Sequence, residues 1–261
     1  MIINRITRNE FLEMFRDDRA GFMARIHKPE GFVVKQFYDG KFVLDLRARL
    51  YSQGLESEPS WHPLKDECPD YHRVHDNYKG AYVKSKMHAF YLHGWYEHNR
   101  QIFSAFREIF SIKNALGGYP ENAFITNKPS EGIVARVLVH HYPSGGGYQE
   151  EHIDPVADFA KLQTIVAASQ YGTDFRVGGL YAKERSDGDR YYVDPFAEPG
   201  DLILLSPGIH HGVAPVDPIE PYDWRRAAGR WIIMPIVLHS DYAGTSVTRP
   251  RGVASADAAG A

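Results

Sequence analysis

After Gly132 the sequence becomes a succession of short runs rich in β-branched and aromatic residues: GIVARVLVHHY, TIVAASQY, GLYAKE, RYYVDP, DLILLSP, HHGVAPV and RWIIMPIVLHS. Turn-forming segments separate them: PSGGG, YGTD, SDGD, AEPGD and VDPIEP. Short strands at this spacing each have a face to bury, and they bury it by folding into a sandwich or closed barrel. The pattern predicts a β core over residues 131–242.

Residues 1–130 have a different texture. Phe11, Leu12, Met14, Phe15, Phe22 and Met23 recur at helical spacing between Asn9 and His27. A longer stretch from His88 to Leu116 also reads as helix, stopped by Gly117, Gly118 and Pro120. Between them GKFVLDLRARL predicts a strand, and the aromatic, Pro-rich segment Glu56–Tyr82 predicts a loop. No repeat or linker divides the chain, so residues 1–248 are expected to form a single domain. Residues 249–261, RPRGVASADAAGA, lack apolar bulk and are expected to be a disordered tail.

Composition narrows the possible partners. The 261 residues are 43% hydrophobic and 24% charged, enough for one sizeable core. The net charge is −3 and no Lys/Arg stripe dominates, which argues against nucleic acid. Cys68 is the single cysteine, so an intrachain disulfide and a Cys-rich metal site are both excluded. The N-terminus lacks the apolar core of a signal peptide, and no run approaches the roughly 18 apolar residues of a membrane span. A cytoplasmic protein without a membrane partner is expected. Thirteen His are available for chemistry.

Three signals stand out among them. His152 and Asp154 are two residues apart, and in extended chain they share a face. An imidazole and a carboxylate are two of the three ligands of a facial triad for non-haem Fe(II). Downstream, DLILLSPGIHHGVAPV offers His210 and His211, only one of which can point to the same place. Finally, Arg230 opens the apolar run RWIIMPI; a buried Arg needs a partner, and a carboxylate held by its fork would serve. Taken alone, each signal has a plain structural reading: a surface turn, an exposed His, a strand-end Arg.

Together, over roughly Arg136–Val237, they resemble the 2-oxoglutarate- and Fe(II)-dependent oxygenases, in particular the prolyl-hydroxylase-like branch. HHYPSGGGYQEEHID, TIVAASQYGTDFRVGGLYA and EPGDLILLSPGIHHGVAPV are the segments that carry the resemblance. It implies a double-stranded β-helix, or jelly roll, with N-terminal helices packed on one sheet. It implies His152, Asp154 and His211 as catalytic iron ligands and Arg230 with Tyr142 as the cosubstrate site. Arg230 lies 19 residues beyond His211, farther than in many members, and leaves Arg225 and Arg226 as competitors. Arg230 is preferred because it opens the strand.

The implied reaction uses Fe(II), 2-oxoglutarate and O2 to hydroxylate an unactivated C–H bond of a small molecule, such as an amino acid or natural-product intermediate, with release of succinate and CO2. The alternatives are a protein-residue hydroxylase and a non-catalytic cupin-like barrel binding metal or ligand. If Tyr142 points inward, so do His140 and Arg136; these read either as substrate contacts or as a satisfied polar patch. The spacing of Cys68, His72 and His75, with His62 nearby, is a weak zinc pattern. The better reading of that segment is a lid over the barrel mouth, with Trp61, His72 and Tyr78 touching substrate.

Overall fold

In the computed structural model, the paired strands β5 (Ile133–Pro143) and β12 (Gly229–His239) run antiparallel along their full eleven-residue lengths. Residues 1–28, 30–78, 81 and 83–242 are described. The expected 249–261 tail lies outside them.

The other strands are β1 (Ile2–Thr7), β2 (Glu30–Lys35), β3 (Tyr71–Asp76), β4 (Ser85–His93), β6 (Gly147–His152), β7 (Gln163–Ala167), β8 (Gly179–Lys183), β9 (Tyr191–Tyr192), β10 (Leu202–Leu205) and β11 (His210–Val216). Their order is β1-β2-β10-β7-β12-β5-β4-β6-β11-β8-β9, with β3 added to β4. β4 pairs with β6 only at Ser85 and Lys86, then with β3 from Asp76–Lys86 to Tyr71–Tyr91. At that change of partner the sheet curls, and β6, β11 and β8 turn back over β12, β7 and β10. Val33, Tyr142, Ile165, Ile203 and Ile232 from one layer pack with Leu180, Ala182, Val213 and Val216 from the other. This is the expected jelly-roll core.

The opposite face of the larger sheet carries the helices: α1 (Arg8–Asp17), α2 (Arg19–His27), α3 (Gly40–Glu56), α4 (Arg100–Ala105) and α5 (Arg107–Gly117). Strand alternation sends Val137, Val139, Trp231, Ile233, Leu202 and Leu204 to this side, where they join Phe11, Phe22, Leu50, Phe106 and Phe110 in the main apolar cluster. Thr7 caps α1 through a capping box with Glu10, and Asp18 separates α1 from α2 by closing one and capping the other.

Several element predictions need correction. GKFVLDLRARL is part of helix α3, not a strand: its buried residues Val43, Leu46, Leu50 and Gly54 follow helical spacing, and Asp39 caps it by accepting from Lys41 N. His88–His93 belongs to strand β4, because its residues are covered on both faces, by β-core on one side and by helices on the other. The helical stretch begins only at Arg100. Within the expected 56–82 loop, Tyr71–Asp76 is a strand, and β1 and β2, read neither as strands nor as a pair, join in parallel at the sheet edge.

Candidate metal and cosubstrate site

The turn from β5 to β6 delivers the first candidate ligand. Gly145 and Gly146 both have positive φ, +92° and +100°, and a Cβ on Gly145 would lie 2.4 Å from the Tyr222 backbone. The three-glycine run therefore makes a turn that other residues would strain. β6 then runs to His152, which is paired directly with His211 of β11. Asp154, just beyond the strand end, is anchored by its backbone N–H donating to Pro207 O at 2.8 Å.

One donor atom each from His152, Asp154 and His211 lies within 4.8 Å of the others. His152 Nε2 is 3.4 Å and His211 Nε2 is 3.7 Å from the Asp154 carboxylate. Each imidazole donates its Nδ1–H to the carbonyl two residues earlier, His152 to Glu150 O at 2.8 Å and His211 to Ile209 O at 2.9 Å. That fixes the tautomer with both Nε2 lone pairs turned to the common point. Two neutral nitrogens and one carboxylate on one side suit Fe(II) with positions left open. His210 turns the other way and faces Glu151 at 3.4 Å.

The electrostatics are consistent with a cation-binding pocket. Burial works against charge on Asp154, but the His152 hydrogen bond and the neighbouring His211, His152 and Lys113 hold its carboxyl below the ordinary value. Burial also opposes charge on His152, yet Asp154 outweighs it and raises that imidazole. His211 is lowered by its burial against the pull of Asp154.

Arg230 is 1% exposed and lines the same cavity. Its Nε donates to Asp194 Oδ2 at 2.6 Å, while Nη1 and Nη2 are buried with no acceptor among the described residues. Asp194 thus orients the guanidinium and leaves its outer fork free. Tyr142 lies under that guanidinium, which is 5.5 Å from its ring centre. The Tyr142 hydroxyl donates to Gln149 Oε1 at 2.7 Å and accepts from His140 Nδ1 at 3.3 Å. Two orphaned guanidinium nitrogens beside a hydroxyl fit a carboxylate. Arg225 and Arg226 are exposed.

The cavity has a volume of about 460 Å³ and is mostly apolar, with Leu138, Ile165, Met234 and Ile236 among its walls. Sequence reasoning missed three of its polar neighbours. Asp194, in a Val-Asp-Pro run, reads as a turn residue. Gln163 opens a strand and donates to both Asp154 Oδ2 at 2.8 Å and His211 Nε2 at 3.1 Å. Lys113 gave a signal, a cation among the buried positions Ile109, Phe110, Ile112 and Asn114 of α5.

The remaining predicted residues are dispersed. His140 lines the cavity, and Arg136 stands on the same strand face. His72 does not: it is on the helix side of the sheet, hydrogen-bonded to Ser57 Oγ at 3.0 Å and bordering a separate cleft against α3. Trp61 and Tyr78 are 61% and 59% exposed and do not line the cavity. His72 and His75 point to opposite faces of β3, so the weak zinc pattern is not assembled; among the described residues the converging group is His152, Asp154 and His211.

No family model matches the sequence, and no curated protein matches it. Solved structures do. T7H of Neurospora crassa, in complex with alpha-KG, shares 12% identity over 91% of this chain and 85% of its own, with a TM-score of 0.56. JOX2, in complex with 2OG, Fe and JA, gives 14% identity, 92% and 75% coverage and a TM-score of 0.52. A 2OG-Fe(II) oxygenase family protein from Caulobacter crescentus gives 11%, 91% and 87%, and 0.51. The chain has the fold of the 2OG-Fe(II) oxygenases. In that oxygenase fold the His152–Asp154–His211 group and Arg230 line one cavity. Among the described residues no helix is long and apolar enough to cross a membrane.

Proposed function

We propose that the protein is a 2-oxoglutarate- and Fe(II)-dependent oxygenase that hydroxylates an unactivated C–H bond of a small molecule. The observation that carries this reading is the pairing, in one cavity, of a converging His-Asp-His group with a buried guanidinium whose outer nitrogens have no acceptor. His152, Asp154 and His211 would hold the iron. Arg230, oriented by Asp194, and Tyr142 would hold the far carboxylate of 2-oxoglutarate. When bound, iron and cosubstrate supply the oxidising chemistry, with release of succinate and CO2.

The chain's own residues do the rest. The Nδ1–H bonds of His152 and His211 keep both imidazoles in the ligating tautomer. Gln163 restrains the Asp154 carboxylate. The apolar walls limit water around the reacting centre. The mostly apolar cavity of about 460 Å³ has room for a small molecule, and the free Arg230 fork favours catalysis over a passive barrel.

The test is succinate formation with Fe(II), ascorbate and 2-oxoglutarate over a metabolite panel, together with anaerobic Fe(II) binding. His152→Ala, Asp154→Ala and His211→Ala should each lose iron binding and turnover, and His210→Ala should keep both. Iron binding that survives His211→Ala but not His210→Ala refutes the ligand assignment.

A further inference from the structure

The inner face of β5 carries a second cation that the described residues leave without a counter-ion. Arg136 is 7% exposed, and its Nε is buried with no hydrogen-bond acceptor. The carboxylates of its neighbourhood are engaged elsewhere: Asp70 by His93, His98 and Asn99, and Asp241 by Leu64 N. What Arg136 does contact is the face of Tyr91, 5.1 Å from guanidinium carbon to ring centre. Tyr91 is in turn stacked on Tyr71 at 4.5 Å. A ring face offsets only part of the desolvation of a buried guanidinium. Among the described residues Arg136 has no ion pair and its buried Nε no acceptor, so the guanidinium keeps hydrogen-bonding capacity that a ligand carboxylate can take up.

The position suggests what uses it. Arg136 is paired across the sheet with Ile236, and the next residue on its face is Leu138; both Ile236 and Leu138 line the cavity. Arg230 is paired with Tyr142, six residues farther along the same strand. The two cations therefore stand roughly 20 Å apart along β5, and 2-oxoglutarate is far too short to touch both. Arg73, whose register on β3 gives it the same face, forms no ion pair among the described residues either; its guanidinium packs over Tyr78 at 5.4 Å. Arg136, Arg73, Tyr71 and Tyr91 are not themselves lining residues; they make a cationic and aromatic patch on the same sheet face, next to the lining residues Leu138 and Ile236.

We propose that Arg136 is the counter-ion for a carboxylate of the substrate, so that the substrate is an organic acid. Its carboxylate docks at the guanidinium beside the Tyr71–Tyr91 pair, and its apolar part lies along Leu138 and Ile236 toward the metal ligands. This assignment rests on the oxygenase reading.

The experiment is calorimetric, with phenylacetate, hexanoate and their primary amides as probes. Fe(II) and 2-oxoglutarate are present and oxygen is excluded, so that Arg230 is already occupied. At least one acid should bind, and its amide should bind at least about tenfold more weakly. Arg136→Met should weaken the acid at least about tenfold, while its thermal midpoint stays unchanged or rises, since an unpaired charge has been removed. Arg136→Lys should retain part of the binding. The proposal is overturned if neither acid binds the wild type, if Arg136→Met binds acid as well as wild type does, or if Arg136→Met lowers the midpoint, which marks a structural cation. 2-Oxoglutarate binding, measured without probe, separates the two levels: its absence in the wild type sinks the oxygenase reading, whereas its presence without acid binding sinks this assignment alone.

Discussion

The Arg230–Asp194 pair allows fold stability and cosubstrate binding to be separated. The contact is 2.6 Å, and the two side chains are 1% and 9% exposed, so solvent screens it little. At an effective dielectric near 20 two unit charges at that distance attract by about 6 kcal/mol, most of which offsets the loss of hydration on burial. Removing one partner leaves the other charge buried alone, which costs about 3–5 kcal/mol. For a chain of this size that lowers the thermal midpoint by roughly 5–10 °C. Asp194→Asn and Arg230→Met should each do so. The double variant Asp194→Asn/Arg230→Met should recover most of the loss, because a neutral, well-packed pair replaces a buried ion pair at little cost. Cosubstrate affinity should follow a different rule. Every variant that lacks Arg230, the stable double variant included, should bind 2-oxoglutarate at least about a hundredfold more weakly by calorimetry. If the double variant is as unstable as the two singles added together, the pair is not the coupled unit described here. If the double variant binds 2-oxoglutarate normally, Arg230 is not its carboxylate site.

Two further outcomes follow from buried titratable groups. Lys113 is lowered to about 8 by burial, with Asp154 opposing the shift. Its folded pKa lies below its unfolded value of about 10.4, so the unfolded chain binds more protons in that window, and Lys113 makes stability rise from about pH 8 to pH 10.4. Denaturant titrations should show Lys113→Met more stable than wild type at pH 7, with the difference shrinking through that window; a constant difference refutes the assignment. Burial also pushes the Cys68 thiol up to about 11, so iodoacetamide at pH 8 should modify the native protein far more slowly than the urea-unfolded chain. Equal rates would show that the thiol is neither buried nor neutral.

The β core and its ligands were legible because local sequence and tertiary role agree there. His152 and Asp154 are two residues apart at a strand end; alternation allows only one of His210 and His211 to join them, the family resemblance pointed to His211, and the pairing of β11 with β6 sets His211 beside His152. Arg230 was legible for a related reason: it opens a long apolar strand, and a cation there needs a partner. Sequence could not show that the partner is divided, with Asp194 on Nε and the outer fork left open. Asp194 belongs to a one-turn helix 36 residues away, and nothing local in Val-Asp-Pro distinguishes it from a turn residue.

The N-terminal region was less legible because context overrides local preference there. β4 is covered on both faces, so its apolar residues lose the alternation that marks a half-buried strand, and the run merges with the helical pattern that follows. GKFVLDLRARL fails in the opposite direction: Val43, Leu46 and Leu50 are helically spaced, but the short run looks like a strand until Asp39 is recognised as its cap. The same limit governs the 56–82 segment. Its aromatic content suggested one lid, but β3 divides its residues by parity. His72 turns toward α3, whereas Tyr71 and Arg73 turn to the inner face where Arg136 stands. The step from composition to role therefore depends on register, since a one-residue shift on β3 exchanges a residue facing the helices for one facing the barrel mouth.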